Sequence, residues 1–475
     1  MNGFCLSMAI PLLAGLLATA TPEGTEVRVE VSDDGRARVL VPPGPGESIV
    51  APPDRGVPYG SAPDWQNDLR RQVGGVQAAD MNGDGLIDVV AGCYKSNSYP
   101  PYPHWYNYIY YNIGGELEAD PSWISADEVS TGDIQVALIN DDPYPDIFAA
   151  NGGFAMSPSC IYFGGPGGPS ITPGWHSAEP QQAWNNYALP LDIDHDGDTD
   201  IVTANQGDSP YDAYRPIYVF YNDAGALETV PSWQSAEWSI QGALAAADLD
   251  GDGWEDVAVS KWIDFESGVY RNDAGVLQPT PVWTTGGDGD DKGVAWADVD
   301  DNGWPDLALG HDPTQLFTND EGVLGLGWTA DGEAYYGHND LRFCDVDGDG
   351  DQDLAEIHFS NGHVRIYLNH DGVLETSPSW MYDCDGSGTA LAFGDISGNG
   401  RPDLIVGNSG DVSLMVFYAE DFDCPADFDG DGDVDTTDLL FLLAAWGTPD
   451  GDVDGDGDTD TADLLALLAD WGPCG

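Results

Sequence analysis

One nine-residue pattern constrains this chain more than any other feature. The segment Asp80-Met81-Asn82-Gly83-Asp84-Gly85-Leu86-Ile87-Asp88 recurs six more times in altered form, closing at Asp146, Asp200, Asp256, Asp306, Asp353 and Asp403, with spacings of 47 to 58 residues. A second landmark keeps the same beat: Trp65, Trp123, Trp175, Trp233, Trp283, Trp328 and Trp380. A third is an aromatic stretch that leads to Asn, as at Tyr111-Asn112, Tyr221-Asn222 and Tyr367 with Asn369. Self-similarity at this period marks a repeat architecture, in which each unit buries its faces against its neighbours. Within a unit, apolar runs of a few residues alternate with Gly, Pro, Asn and Asp, and no helical period is sustained. Each unit therefore reads as four short strands; around the fourth loop they fall at 243–247, 256–260, 269–271 and from Trp283 onward. Four strands per repeat make a propeller blade, and a closed ring protects strand edges that would otherwise invite aggregation. The predicted fold class is all-β, a seven-bladed β-propeller with calcium loops over residues 52–420. The seven Trp residues are expected between blades, as core.

The pattern D-x-[DN]-x-[DN]-G-x-x-D places side-chain oxygens at alternate positions of a tight loop, with Gly at the sharp turn. Hard calcium takes six to eight such oxygen ligands. The expected ligands are Asp80, Asn82, Asp84 and Asp88 in loop 1; Asp192, Asp194, Asp196 and Asp200 in loop 3; Asp248, Asp250, Asp252 and Asp256 in loop 4; Asp298, Asp300, Asn302 and Asp306 in loop 5; and Asp345, Asp347, Asp349 and Asp353 in loop 6. Loop 7 carries less charge, with Asp395, Asn399 and Asp403. Loop 2 has Leu138 at its first position and Pro143 where Gly belongs, and is expected to be empty or poorly occupied. Without cations these carboxylates would repel one another at close range.

The balance of 83 acidic against 14 basic residues excludes nucleic acid and anionic membrane surfaces as partners. Such a composition often signals disorder, but 16 Trp, 21 Tyr and 14 Phe supply material for cores. The apolar run 10–17, ending in Ala18-Thr19-Ala20, reads as a secretory signal over residues 1–20. No later stretch is long and apolar enough for membrane insertion. A secreted protein, extracellular or attached to a cell surface, is expected, with a monomeric propeller. Residues 21–51 hold a hairpin signal around Ser32-Asp33-Asp34-Gly35 and a Pro-rich linker. Export permits disulfides: Cys424 and Cys474 bracket the C-terminal module, while Cys93 with Cys160 and Cys344 with Cys384 are further candidate pairs.

Over residues 424–475 the register changes. Two units 25 residues apart hold Asp427, Asp429, Asp431, Asp435 and Asp438, then Asp452, Asp454, Asp456, Asp460 and Asp463, each followed by a Leu-rich segment ending in Trp446-Gly447 or Trp471-Gly472. An acid at position twelve followed by a helix marks an EF-hand-like pair, with Asp427, Asp429, Asp431 and Asp438 and then Asp452, Asp454, Asp456 and Asp463 as calcium ligands. Thr436 and Thr461 lie where the helices begin, and Gly447 and Gly472 are candidate C-caps. The face carrying Leu439, Leu440, Leu443 and Trp446 is expected to bury mostly against the twin helix.

Across residues 52–420 the chain resembles the FG-GAP/VCBS repeat family, the propeller of integrin α-subunits among them. The resemblance implies that the acidic loops join first and second strands on one face and that partners meet the opposite face. The C-terminal pair resembles dockerin modules of the cysteine-bracketed type, which implies a cohesin-like or surface-scaffold partner. A calcium-stabilised end cap without a partner is the plainer alternative.

The residue five places after each closing Asp is polar in six units of seven: Asn151, Asn205, Lys261, His311, His358 and Asn408, with Cys93 in the first. Either these ring one mouth of the propeller, or they are turn chemistry, where Asn is expected. Lys95, Lys261, Trp262, His311, His358, Tyr336 and His338 are the candidate ligand-binding residues, since aromatics with scattered cations suit sugar rings. The expected function is a binding or adhesion module for carbohydrate or protein. The alternative is a calcium-dependent lyase or hydrolase of polysaccharides, in which Lys95, Lys261, His311 or His358 moves a proton. No hydrolase, zinc-protease or phosphate-loop motif is present.

Overall fold

The computed structural model describes residues 28–31, 37–40, 56–67, 71–94, 105–152, 157–178, 185–205, 214–262, 265–286, 291–331, 338–420, 425–428, 433–453, 457, 459–469 and 471–473. Two compact units divide at Asp54 and Arg55. In the first, Arg28–Val31 pairs antiparallel with Ala37–Leu40, the hairpin that the intervening turn signal predicts.

In the second unit, the described residues form seven four-stranded antiparallel sheets. Blade 4 shows the plan: Gln241–Ala247, Asp256–Lys261, Gly268–Tyr270 and Trp283–Thr284 lie side by side in that order. The second strand is buried along its whole length in this and the other blades, as at Asp256–Lys261 and Asp403–Asn408. It is covered by a neighbouring blade on each face, which is why it reads as an unbroken apolar run rather than an alternating one. First strands are rich in Gly and Ala because they crowd together. A Cβ on Gly75 would lie 2.7 Å from the backbone nitrogen of Ile134 in the next blade.

The ring closes with mixed chain ends. Trp65–Gln66 is the fourth strand of blade 7, beside Leu414–Phe417. Asn67 fastens it by accepting from the backbone N–H groups of Ser413 and Leu414. The seven Trp residues wedge between blades, as expected. Trp123 stacks edge-on against Tyr162 of blade 2 at 5.4 Å and donates its indole N–H to Pro169 O. Trp175 with Phe220, Trp283 with Phe317, Trp328 with Tyr367, Trp380 with Phe417 and Trp65 with Tyr110 repeat the edge-on contact.

The C-terminal module carries helices at Thr436–Ala444 and Thr461–Ala469. Asp435, not Thr436, caps the first, accepting from Thr437 N while Asp438 accepts from Asp435 N. Asp435 is extended and its side chain folds back over the free N–H groups, whereas Thr436 is already the first helical residue. Asp460 and Asp463 repeat the arrangement in the second helix. Gly447 has φ of 77°, as a helix terminator does, but Gly472 instead pairs with Val434 in a short bridge that ties the two loop–helix repeats of this module together. Leu442, Leu464 and Leu467 form the small core with Val434 and Ala426. The expected apolar face needs correcting: Leu440 and Trp446 are exposed, and Leu439 with Leu442 faces inward. Cys93, Cys160, Cys344 and Cys384 are free thiols, so neither candidate pair among them forms. Cys93 and Cys160 sit in different core clusters. Cys424 and Cys474 lie outside the described residues, as do the signal segment 1–20 and the linker before Arg55. Among the described residues no helix is long and apolar enough to cross a membrane.

Candidate metal centres and the opposite face

The acidic loops all join first to second strands, and so gather at one end of the ring. Each is shaped by its own acids. In loop 4, Asp248 accepts from the backbone N–H groups of Gly251 and Gly253, both at 2.8 Å. Asp252 accepts from Trp254 N at 3.0 Å. Gly253 has φ of 88°, which a side chain would strain.

The closing Asp is the anchor. It is buried in all seven blades. One oxygen accepts from the second residue of its own loop, as Asp256 does from Leu249 N at 3.2 Å. The other accepts from a backbone N–H beyond the third strand, as Asp256 does from Asn272 N at 2.7 Å. Burial pushes the carboxyl up, to about 6 in Asp88, Asp256 and Asp306, about 7 in Asp200 and about 8 in Asp353. The two N–H donors oppose that rise, and the neighbouring loop acids add to it.

Three carboxylates converge, their oxygens within 4.8 Å of one another, in four loops: Asp192, Asp194 and Asp200; Asp248, Asp250 and Asp256; Asp298, Asp300 and Asp306; Asp345, Asp347 and Asp353. These are positions one, three and nine of loops 3 to 6. The fifth-position residues Asp196, Asp252, Asn302 and Asp349 stand outside the triads, each accepting from a backbone N–H two residues on. In loop 1, Asn82 donates to Asp84 and Asp80 is held by three backbone N–H groups. In loop 7, Asp395 accepts from Gly398 and Gly400, and Asn399 donates to Ala419 O. Loop 2 folds the same way without its first acid, Asn140 and Asp142 each taking a backbone N–H.

The residues fit a metal ion on their own terms. An all-oxygen carboxylate set suits a hard divalent cation. Asp194 Oδ1 is buried with no hydrogen-bond partner, and an ion would satisfy it. Arg271 lies against Asp250 and supplies positive charge to loop 4. In the C-terminal module, Asp438 accepts from Phe428 N and Asp463 from Val453 N, both at 2.7 Å. Asp427 and Asp452 are half-buried at the first loop positions. Asp429, Asp431, Asp454 and Asp456 lie outside the described residues.

On the opposite end, the polar residues that follow the second strands mostly look inward. Asn151, Asn205 and Asn408 donate to the carbonyls of Pro158, Pro216 and Val412, so they are turn staples. Lys261 and His358, expected on a binding face, are 2% and 1% exposed. Lys261 pairs with Glu237 at 2.8 Å, and Glu237 also accepts from Tyr270. His358 meets Glu356 at 2.9 Å, and that buried carboxylate also takes Tyr367, Arg365 and Thr314. Lys261 thus meets a carboxylate, while His358 and Arg365 converge on the same oxygen of Glu356. His311 reaches further out, its Nδ1 2.8 Å from the buried Asp291, whose other oxygen accepts from Ser267. Trp262 is half-buried. The Lys292 ammonium lies 3.8 Å from its ring centre and 4.9 Å from that of Phe359. Sequence reasoning passed over Lys292 and Phe359, although Lys292 is one of only three lysines in the chain. Lys95 and Tyr336 lie outside the described residues. The His338 backbone pairs with His358, and its side chain lies outside them.

An FG-GAP-like repeat model matches residues 192–259 and 345–406, which span loops 3 and 4 and loops 6 and 7. The chain is a seven-bladed β-propeller, and in these two stretches its blades are similar to FG-GAP-like repeats. No curated protein matches the chain. A solved structure similar to it is described as "Crystal structure of BBS1N in complex with ARL6DN, soaked with mercury". It is 14% identical, the match covers 74% of this chain and 94% of that one, and the TM-score is 0.48.

Proposed function

We propose that this is an exported, calcium-loaded propeller that binds carbohydrate or protein on the face opposite its acidic loops and is tethered by its dockerin-like C-terminal module. The observation that carries the calcium reading is the set of four carboxylate triads, each with oxygens within 4.8 Å, in one ring of loops. Calcium suits them better than magnesium because the loops offer many oxygens in a flexible wrap rather than a strict octahedron. The ions are structural in this reading. They neutralise part of a net charge of −69 and hold the loop ends of the blades.

The binding face is supported by the cluster of Trp262, Lys292 and Phe359, with His311 held by Asp291, the residue before Lys292. Sugars offer apolar faces and hydroxyl edges to such a surface. The tail reading rests on two loop–helix units with matched caps and on exposed Leu440, Phe441, Trp446, Leu465 and Trp471. The test is a broad glycan array probed with the calcium-loaded full chain and with a chelated sample. Calcium-dependent signal on a narrow sugar class, reduced about ten-fold by Trp262→Ala, supports the carbohydrate reading. A blank array from folded protein removes it and leaves a protein ligand.

A further inference from the structure

The closing aspartates are not seven separate anchors. Asn369 takes its place beside Asp353 through its backbone N–H, 2.8 Å from Oδ1. Its side-chain amide then crosses to the previous blade and donates to Val299 O at 2.8 Å. Val299 is the second residue of loop 5, and its own N–H donates to Asp306 at 3.0 Å. The same three steps repeat from Asp306 through Asn319 and Leu249 to Asp256. They continue from Asp256 through Asn272 and Ile193 to Asp200, and from Asp200 through Asn222 and Ile139 to Asp146. One hydrogen-bonded chain therefore runs from loop 6 to loop 2. A second, shorter one runs from Asp88 through Asn112 and Ile396 to Asp403, joining loop 1 to loop 7.

The ring is broken in two places. In blade 2 the linking position is Gly164 and in blade 7 it is Ala419. Both keep the backbone bond to their own closing Asp, at 2.6 and 2.7 Å. Neither has a side-chain amide to send to the previous loop. Direct contacts between loops reinforce the longer arc. His195 of loop 3 stacks on Trp254 of loop 4 at 4.2 Å and meets Glu255 at 2.9 Å. Trp304 of loop 5 packs over Gly251 of loop 4. The four convergent triads all belong to this arc.

We propose that the loops take up calcium as two independent groups, loops 3 to 6 filling cooperatively and loops 7 and 1 forming a separate pair, with the linking asparagines as positioning residues. The inference rests on the calcium reading above. An ion that draws a closing Asp into its ligand set fixes the Asn bonded to that Asp. The Asn side chain in turn fixes the backbone of the preceding loop, so that loop binds its ion at a smaller ordering cost. Hydrogen bonds in series polarise one another and carry the effect along the arc.

Terbium takes the oxygen ligands of calcium and luminesces when a nearby indole is excited, and only loops 4 and 5 carry Trp at their seventh position, Trp254 and Trp304. In the chelator-stripped full chain, Asn369→Ala, which removes no carboxylate, should move the terbium midpoint reported by these two residues about ten-fold upward and flatten the curve. Asn112→Ala should leave that midpoint in place. Equal shifts from both variants, or no shift from either, would overturn the proposal. Calorimetric calcium titration of the unsubstituted chain supplies a check that needs no variant: a steep step for the longer arc, separate from the remaining uptake, is expected, and uptake by identical independent sites sinks the idea. If the chain takes up neither ion, the calcium reading itself falls; uptake without the split removes only the two-arc proposal.

Discussion

Asp256 is 1% exposed, yet both of its carboxylate oxygens are met by backbone N–H groups, from Leu249 and from Asn272. Removing the side chain leaves two buried donors without acceptors, at about 1–3 kcal/mol each. Asp256→Ala should therefore destabilise the chelated protein by about 2–6 kcal/mol, measured as a drop in denaturant midpoint. Asp133 is a second buried carboxylate, at the centre of the ring and away from the loops. It accepts from Ile134 N, from Gln135 and, across the blade boundary, from Ala188 N. Burial raises it from the ordinary 3.8 to about 6, with Asp340 adding to the rise and the backbone of Ala188, Gln135 and Arg342 opposing it. The folded state thus holds a proton that the unfolded state has lost between those values, and stability falls as pH rises through that window. Asp133→Asn cannot ionise. The stability of the unsubstituted protein relative to that variant should decline from about pH 4 to about pH 6 and be level above; a difference that is constant with pH would contradict the assignment.

Blades are held to one another by their fourth-strand Trp residues as much as by their central strands. Trp123 is 5% exposed, stacks on Tyr162 and donates to Pro169 O. Trp123→Ala should cost about 3–5 kcal/mol, the usual range for a large buried aromatic. Trp123→Phe, which keeps a ring but loses the donor, should cost less. Equal losses in urea denaturation would show that the hydrogen bond, not packing, carries the wedge. The Trp beat was legible in sequence because every blade presents the same slot at the same distance along the chain. The fates of Lys261 and His358 were not legible. Their position after an apolar strand suggested a rim, but Glu237 and Glu356 draw them in. Those partners lie 24 residues before Lys261 and two before His358, and no spacing rule marks either carboxylate as a buried acceptor.

At the scale of the whole molecule, a net charge of −69 has to be held in one folded chain. Ions bound by the folded state alone stabilise it, by about 2.7 kcal/mol per site at a free concentration 100-fold above the dissociation constant. Chelation should lower the melting temperature of the full chain, and 1 M salt, which shortens the screening length to about 3 Å, should restore part of the loss. A melting temperature indifferent to chelator would remove the structural role given to calcium. Ring closure belongs to the same scale. Tyr59 donates to Pro402 O and Trp380 to the carbonyls of Tyr59 and Gly60, across more than 300 residues of sequence.

The sequence by itself determined the number of blades, the place of each acidic loop and the slot for each Trp. The loops rest on contacts within one repeat, and the Trp slot, which lies between blades, recurs because each blade meets the next in the same way. It also marked the Asn that follows the third strand, though only as a beat. What that Asn joins and which cations remain near the surface were decided by the tertiary structure alone. Each depends on the neighbouring blade. The difference between Asn369, which reaches Val299, and Ala419, which has no side chain to send, acquires meaning only once the ring sets one blade's third strand against the loop of the blade before it.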